Sequence, residues 1–62
     1  MLVNVILANG SQHKVDYGKG KEDFMDLVRF NRENFIEDTN GYHILISNIA
    51  VFKFIENGGS NE

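Results

Sequence analysis

The sequence has no cysteine and only two histidines in 62 residues. Without cysteine there is no disulfide, no thiolate zinc site and no cysteine nucleophile, which suits a reducing compartment. Positive charge is also scarce: nine acidic and six basic side chains leave a formal net charge of −3. That balance gives no basic field for phosphate backbones, so nucleic acid is not an expected partner, and it is too mild to make the chain a DNA mimic. No apolar run approaches the ~18 residues of a membrane span. The opening Met1-Leu2-Val3-Asn4-Val5-Ile6-Leu7 has neither the positive n-region nor the cleavage site of a signal peptide. The expectation is a cytoplasmic protein with no membrane contact.

What is present is the composition of an ordinary globular chain, 42% apolar and 24% charged. The length allows one small domain, taken here as residues 1–56, followed by a polar, glycine-rich tail, Asn57-Gly58-Gly59-Ser60-Asn61-Glu62, expected to be flexible. A chain this short buries only about 60% of its unfolded surface. With no covalent staple, oligomerisation is a natural way to add burial.

Leu2 to Ala8 reads as a strand ending at Asn9-Gly10, a strong hairpin signal, and Gln12 to Tyr17 as its partner. A two-residue turn would set Val3, Val5 and Leu7 against Asp16, Lys14 and Gln12. A three-residue loop Ala8-Asn9-Gly10 with Gly10 left-handed instead pairs Val3 with Val15 and Val5 with His13, and this register is preferred. After Gly18-Lys19-Gly20-Lys21 the period changes to that of a helix over Glu22 to Arg32. Phe24, Leu27 and Val28 form its apolar stripe, Gly20 or Asp23 is its N-cap, and Arg29 and Arg32 close its last turn.

From Phe35 the period returns to two: Phe35 to Asp38, a turn at Thr39-Asn40-Gly41, Tyr42 to Ile46, a turn at Ser47-Asn48, and Ile49 to Ile55. The fold class is therefore α+β, in the order β-β-α-β-β-β: a β-hairpin, one short helix and a three-stranded antiparallel meander. In the meander, Ile46 would pair with Ile49 and Ile44 with Val51. Ile36, Ile44, Ile46, Ile49, Val51 and Ile55 would fill one face, and Phe35, Leu45, Ala50, Phe52 and Phe54 the other. One helix covers one face. The second, joined by Leu2 and Ile6, either curls into a small barrel or forms an interface, with a symmetric homodimer the first expectation.

Chemistry finds little purchase. A metal site would need His13 and His43 together with Asp16 or Asp38, drawn from separate hairpins at no known motif spacing. Ser11 and Ser47 are explained by turns, and Ser60 lies in the tail. Glu22, Asp23 and Asp26 suit a solvated helix start better than acid–base work. No catalytic residue, metal or cofactor is expected. The local alternative is anion or nucleotide binding at Gly18, Lys19, Gly20 and Lys21, where glycine N–H groups and two lysines meet a helix N-terminus, although the spacing is not that of a P-loop and Glu22 and Asp23 follow.

The pattern Phe35-Ile36-x-x-x-Asn40-Gly41-Tyr42-x-Ile44-x-Ile46-x-Asn48-Ile49, continued by Val51 to Ile55, resembles the closing meander of many short uncharacterised proteins of Gram-positive bacteria and their phages. The opening Val5-Ile6-Leu7-Ala8-Asn9-Gly10 hairpin and the short helix are similar too. The resemblance implies an accessory or phage-type protein, a class that includes inhibitors of host enzymes and defence systems, and it carries over no functional residue. The expectation is a non-enzymatic, homo-oligomeric interaction module that can also occupy a host protein.

Overall fold

The first hairpin forms in the register that alternation demands. In a computed structural model, which describes residues 1–55, β1 (Leu2–Leu7) pairs antiparallel with β2 (Gln12–Asp16), Val3 opposite Val15 and Val5 opposite His13. Gly10 sits at φ +90° in the loop Ala8-Asn9-Gly10, a conformation that costs a residue without Cβ nothing. The Leu7 N–H bonds the Ser11 carbonyl at 2.9 Å and closes the loop. The tail at 57–62, and residue 56, lie outside the described residues.

The class and element order are the expected ones, α+β in the order β-β-α-β-β-β. The pairing of the second half differs. β3 (Phe35–Glu37) and β4 (His43–Leu45) form a two-stranded hairpin, with Ile36 opposite Ile44 and Gly41 at φ +88° in the turn. β5 (Ile49–Ile55) does not continue from β4 as a meander. It crosses to β1, so that the three-stranded antiparallel sheet has the order β2-β1-β5. Instead of a two-residue turn at Ser47-Asn48, Ile46–Asn48 makes a 3₁₀ turn, and the Asn48 carbonyl takes the Ala8 N–H at 2.8 Å where the chain crosses. The physical reason is strand length, since β4 has 3 residues to offer a partner and β1 has 6. A meander would leave one whole edge of β1 unpaired, whereas β5 on β1 satisfies it along six residue pairs.

A bulge then decides which side chains face inward. Leu7 pairs with Ile49 but Ile6 pairs with Val51, leaving Ala50 as an extra residue in β5. Each later side chain in β5 is thereby turned over. Phe52 and Phe54 come to lie beside Val5 and Val3 on the inner face, and Val51, Lys53 and Ile55 point the other way.

The helix α1 (Lys21–Phe30) covers one part of the inner face, with Gly20 as its N-cap and the Asn31 N–H bonded to the Leu27 carbonyl at 3.0 Å. It stops before Arg32, which lies beyond the last turn. Phe24 is fully buried and meets Tyr17, Phe52 and Phe54 edge-on, at centroid distances of 5.2, 5.1 and 5.9 Å. The β3–β4 hairpin supplies the rest of the cover, so Val3, Val5, Val15, Phe24, Ile44, Ile46 and Ile49 make one core drawn from both sheets and the helix.

Phe24→Ala should cost about 3–5 kcal/mol, the usual penalty for emptying a phenylalanine site. Against the ~5–15 kcal/mol total of a small domain, the urea midpoint should drop steeply or the cooperative transition vanish. An unchanged midpoint would show that the aromatic cluster does not organise the core.

Candidate interaction surface

The outer face of the β2-β1-β5 sheet is a grid of nine side chains in three rows. Pairing across β1 sets Asp16, Leu2 and Ile55 in one row, Lys14, Asn4 and Lys53 in the next, and Gln12, Ile6 and Val51 in the third. Because alternate residues of a strand share a face, all nine point away from the helix. The two lysines flank Asn4, about 10 Å apart by strand spacing. Both are exposed, and among the described residues neither has an ion-pair partner. The Asn4 amide donates to Gln12 Oε1 at 3.2 Å. Asp16 faces the N-terminal ammonium at 3.4 Å. Val51 is 56% exposed, and Leu2, Ile6 and Ile55 are half-buried.

The residues expected to form one apolar interface are therefore divided. Phe52 and Phe54 pack under the helix, because the Ala50 bulge turns them inward. Ala50 itself is exposed at the bulge. Phe35, 64% exposed, lies opposite Leu45 on the open side of the β3–β4 hairpin. Of the set, Leu2 and Ile6 are on the outer face, and their neighbours there are Val51 and Ile55, expected on the opposite face.

Sheet edges add a second feature. The Tyr17 N–H bonds the Met1 carbonyl at 2.7 Å and the Leu7 N–H bonds Ser11, so odd-numbered residues of β1 hydrogen-bond to β2. By the alternation of an antiparallel ladder, even-numbered ones bond to β5, at Ile55, Lys53 and Val51. The main-chain groups of Phe52 and Phe54 consequently point out of the sheet edge. On the opposite edge, the Lys14 carbonyl is capped by the Thr39 N–H at 2.8 Å. Among the described residues β5 has no such cap.

The structure also joins residues that the sequence left separate. His13 Nδ1 lies 2.9 Å from Asp38 Oδ2, whose side chain is only 1% exposed, and His13 Nε2 lies 3.4 Å from Ser11 Oγ. The order serine, histidine, aspartate is that of a hydrolase triad, but the proton arrangement is wrong for a nucleophile. Ser11 Oγ donates to Asn9 Oδ1 at 2.7 Å, and that oxygen also takes the Ser11 N–H at 2.9 Å. Nε2 thus meets an oxygen and not an aimed O–H. The Gly10 and Ser11 N–H groups are both engaged, leaving neither as an oxyanion donor. The geometry suits a clasp between the two hairpins. Asp38 Oδ1 also takes the N–H groups of Asn40 and Tyr42, each at 2.8 Å. The turn chemistry of Asp38-Thr39-Asn40-Gly41 was a readable signal for those two bonds; nothing local pointed to His13.

His43 stands apart, 3.9 Å from exposed Glu37, and among the described residues no three acidic or histidine side chains are grouped to hold a metal. Gly18, Lys19, Gly20 and Lys21 are all exposed. Gly20 serves as the helix N-cap and the Lys21 ammonium lies 5.5 Å from the Phe54 ring centroid, a cation–π position. No helix among the described residues is long and apolar enough to cross a membrane.

Burial pushes the Asp38 carboxyl up, but bonds from the Tyr42 N–H, the His13 ring and the Asn40 N–H, with the charge of the imidazole, outweigh it and hold the group below its ordinary 3.8. Its contribution to stability is complete above pH 3.8 and is lost as the pH falls through the lower folded value. Urea midpoints should therefore decline more steeply below that pH in the wild type than in Asp38→Asn. Parallel curves would remove Asp38 from the clasp.

Comparison with protein-family models, with curated proteins and with solved structures returned no match for this chain.

Proposed function

We propose that this protein is a binding module that works without chemistry and takes up an acidic partner protein on the outer face of its β2-β1-β5 sheet. The observation that carries the reading is the row Lys14, Asn4, Lys53, two cations without acidic partners among the described residues, set between rows that hold Leu2 with Ile55 and Ile6 with Val51. Apolar side chains flanking a central charge give a partner both area and orientation. In a net acidic chain, such a cationic row is a local departure from the average field.

A second copy fits this face poorly. Two-fold packing centred on Asn4 would set one lysine row on another, and like charges brought together out of water oppose association. The homodimer expected from the sequence rested on a continuous apolar face that the fold divides. An accessory protein of the phage type would act by occupying an acidic surface of a host protein.

Anisotropy titrations with a fluorescent glutamate-rich peptide should show binding that weakens with salt. Lys14→Glu with Lys53→Glu should weaken it by at least about tenfold while leaving the urea midpoint nearly unchanged, since both side chains are exposed. Native mass spectrometry of the same samples should report a monomer. Equal binding by wild type and the double variant would overturn the reading.

A further inference from the structure

We infer that the partner is held by strand addition: an extended, mostly apolar segment of another protein, with one acidic side chain at its centre, pairs with the free edge of β5. This rests on the binding module just proposed and names the mode of capture. The main-chain N–H and C=O groups of Phe52 and Phe54 point out of the sheet edge, as the hydrogen-bond alternation from β2 through β1 requires. They form a ready template for another strand.

The side chains on β5 specify what that strand should carry. Where Phe52 and Phe54 make the hydrogen-bonded pairs, Lys53 between them faces a non-hydrogen-bonded position, in which opposed side chains come closest. Lys53 has no ion-pair partner among the described residues, so a glutamate opposite it on the outer face completes a pair. Val51 and Ile55 on either side call for apolar neighbours on that face. On the inner face, half-buried Phe52 and Phe54 offer the same to the residues opposite them. The added strand would extend the grid by one column, apolar, acidic, apolar.

The protein's own β5 does not meet this pattern. Antiparallel self-pairing with Phe52 opposite Phe54 of the copy sets Lys53 against Lys53, and centring the axis on Phe52 forces the Ala50 bulge against Phe54. The β2 edge is a weaker template, since its Lys14 carbonyl is already bonded to Thr39. The charge on Lys53, which no residue of β5 complements, favours a foreign strand at this edge.

Amide hydrogen exchange followed by NMR reads the edge directly. In the free protein, the Phe52 and Phe54 amides should exchange rapidly while those of Val51, Lys53 and Ile55 are protected. A short capped peptide of threonine and valine with one central glutamate should raise protection of Phe52 and Phe54 by at least about tenfold. The same peptide with a central lysine should bind at least about tenfold more weakly, and Lys53→Glu should reverse that preference. Protection of the two amides that rises with protein concentration alone would overturn the proposal in favour of a second copy. Peptide binding that leaves them unprotected would overturn strand addition and leave docking on the outer face standing. If neither peptide binds, strand addition falls, and the glutamate-rich peptide titration separately decides the binding module.

Discussion

The pairing of β5 with β1 is the constraint on which the rest of this small fold depends. It places buried Ile49, worth about 1.5–3 kcal/mol, against the inner face together with half-buried Phe52 and Phe54, each worth less. It supplies Phe24 with two of its three aromatic neighbours, and so gives the helix a surface to settle on. It also makes β1 the central strand, satisfied on both edges, and leaves β5 as an edge. The proposed interaction surface is thus a by-product of the same pairing that completes the core. A chain with few core residues and no disulfide has little freedom to place its stabilising contacts elsewhere.

The β1–β2 and β3–β4 hairpins are tied by a polar contact as well as by the core they share. Asp38 is enclosed, and its carboxylate takes two N–H groups of its own turn and the ring of His13 from the first hairpin. A buried carboxylate left with fewer donors would oppose folding, so the contact makes the turn after β3 and the strand β2 depend on one another. The Thr39 N–H to the Lys14 carbonyl lies beside it and caps the β2 edge. One segment, residues 38 to 40, thereby both fastens the second sheet and caps one carbonyl on the edge opposite β5. This asymmetry between the edges leaves β5 for pairing.

How far these features were legible depends on whether their causes are local. Asn9-Gly10 needs a left-handed glycine, and alternation around it admits one register, so the first hairpin could be read residue by residue. The helix followed from the spacing of Phe24, Leu27 and Val28, and its end at Phe30 fell short of Arg32 because the chain turns at Asn31 to reach β3. The destination of β5 was not local information. Ser47-Asn48 is as compatible with a tight turn as with the 3₁₀ turn observed, and only the open edge of β1, more than forty residues earlier, selects between them. The Ala50 bulge is similarly invisible in an alternating run, yet it determines which of Val51 and Phe52 meets solvent. For that reason the residues expected on one face divide, with Leu2 and Ile6 on the outer face and Phe52 and Phe54 on the inner one.

In the proposed binding module the cations on the outer face act more by exclusion than by attraction. Exposed ion pairs are weak, about 0–1 kcal/mol, so Lys14 and Lys53 add little affinity by attraction alone. Their larger influence is on what is rejected, because approach of another cation, including the same row on a second copy, meets repulsion in a region that binding would dry. In the proposed complex the affinity would then come from main-chain bonds at the β5 edge and from apolar contact with Val51, Ile55, Phe52 and Phe54, with the lysines setting register and partner. A sheet edge kept open in a small protein is ordinarily a route to self-association. Here Lys53 at the centre of the edge and a bulge at one end make self-pairing the poorer match, so the edge can remain available to a strand of different charge.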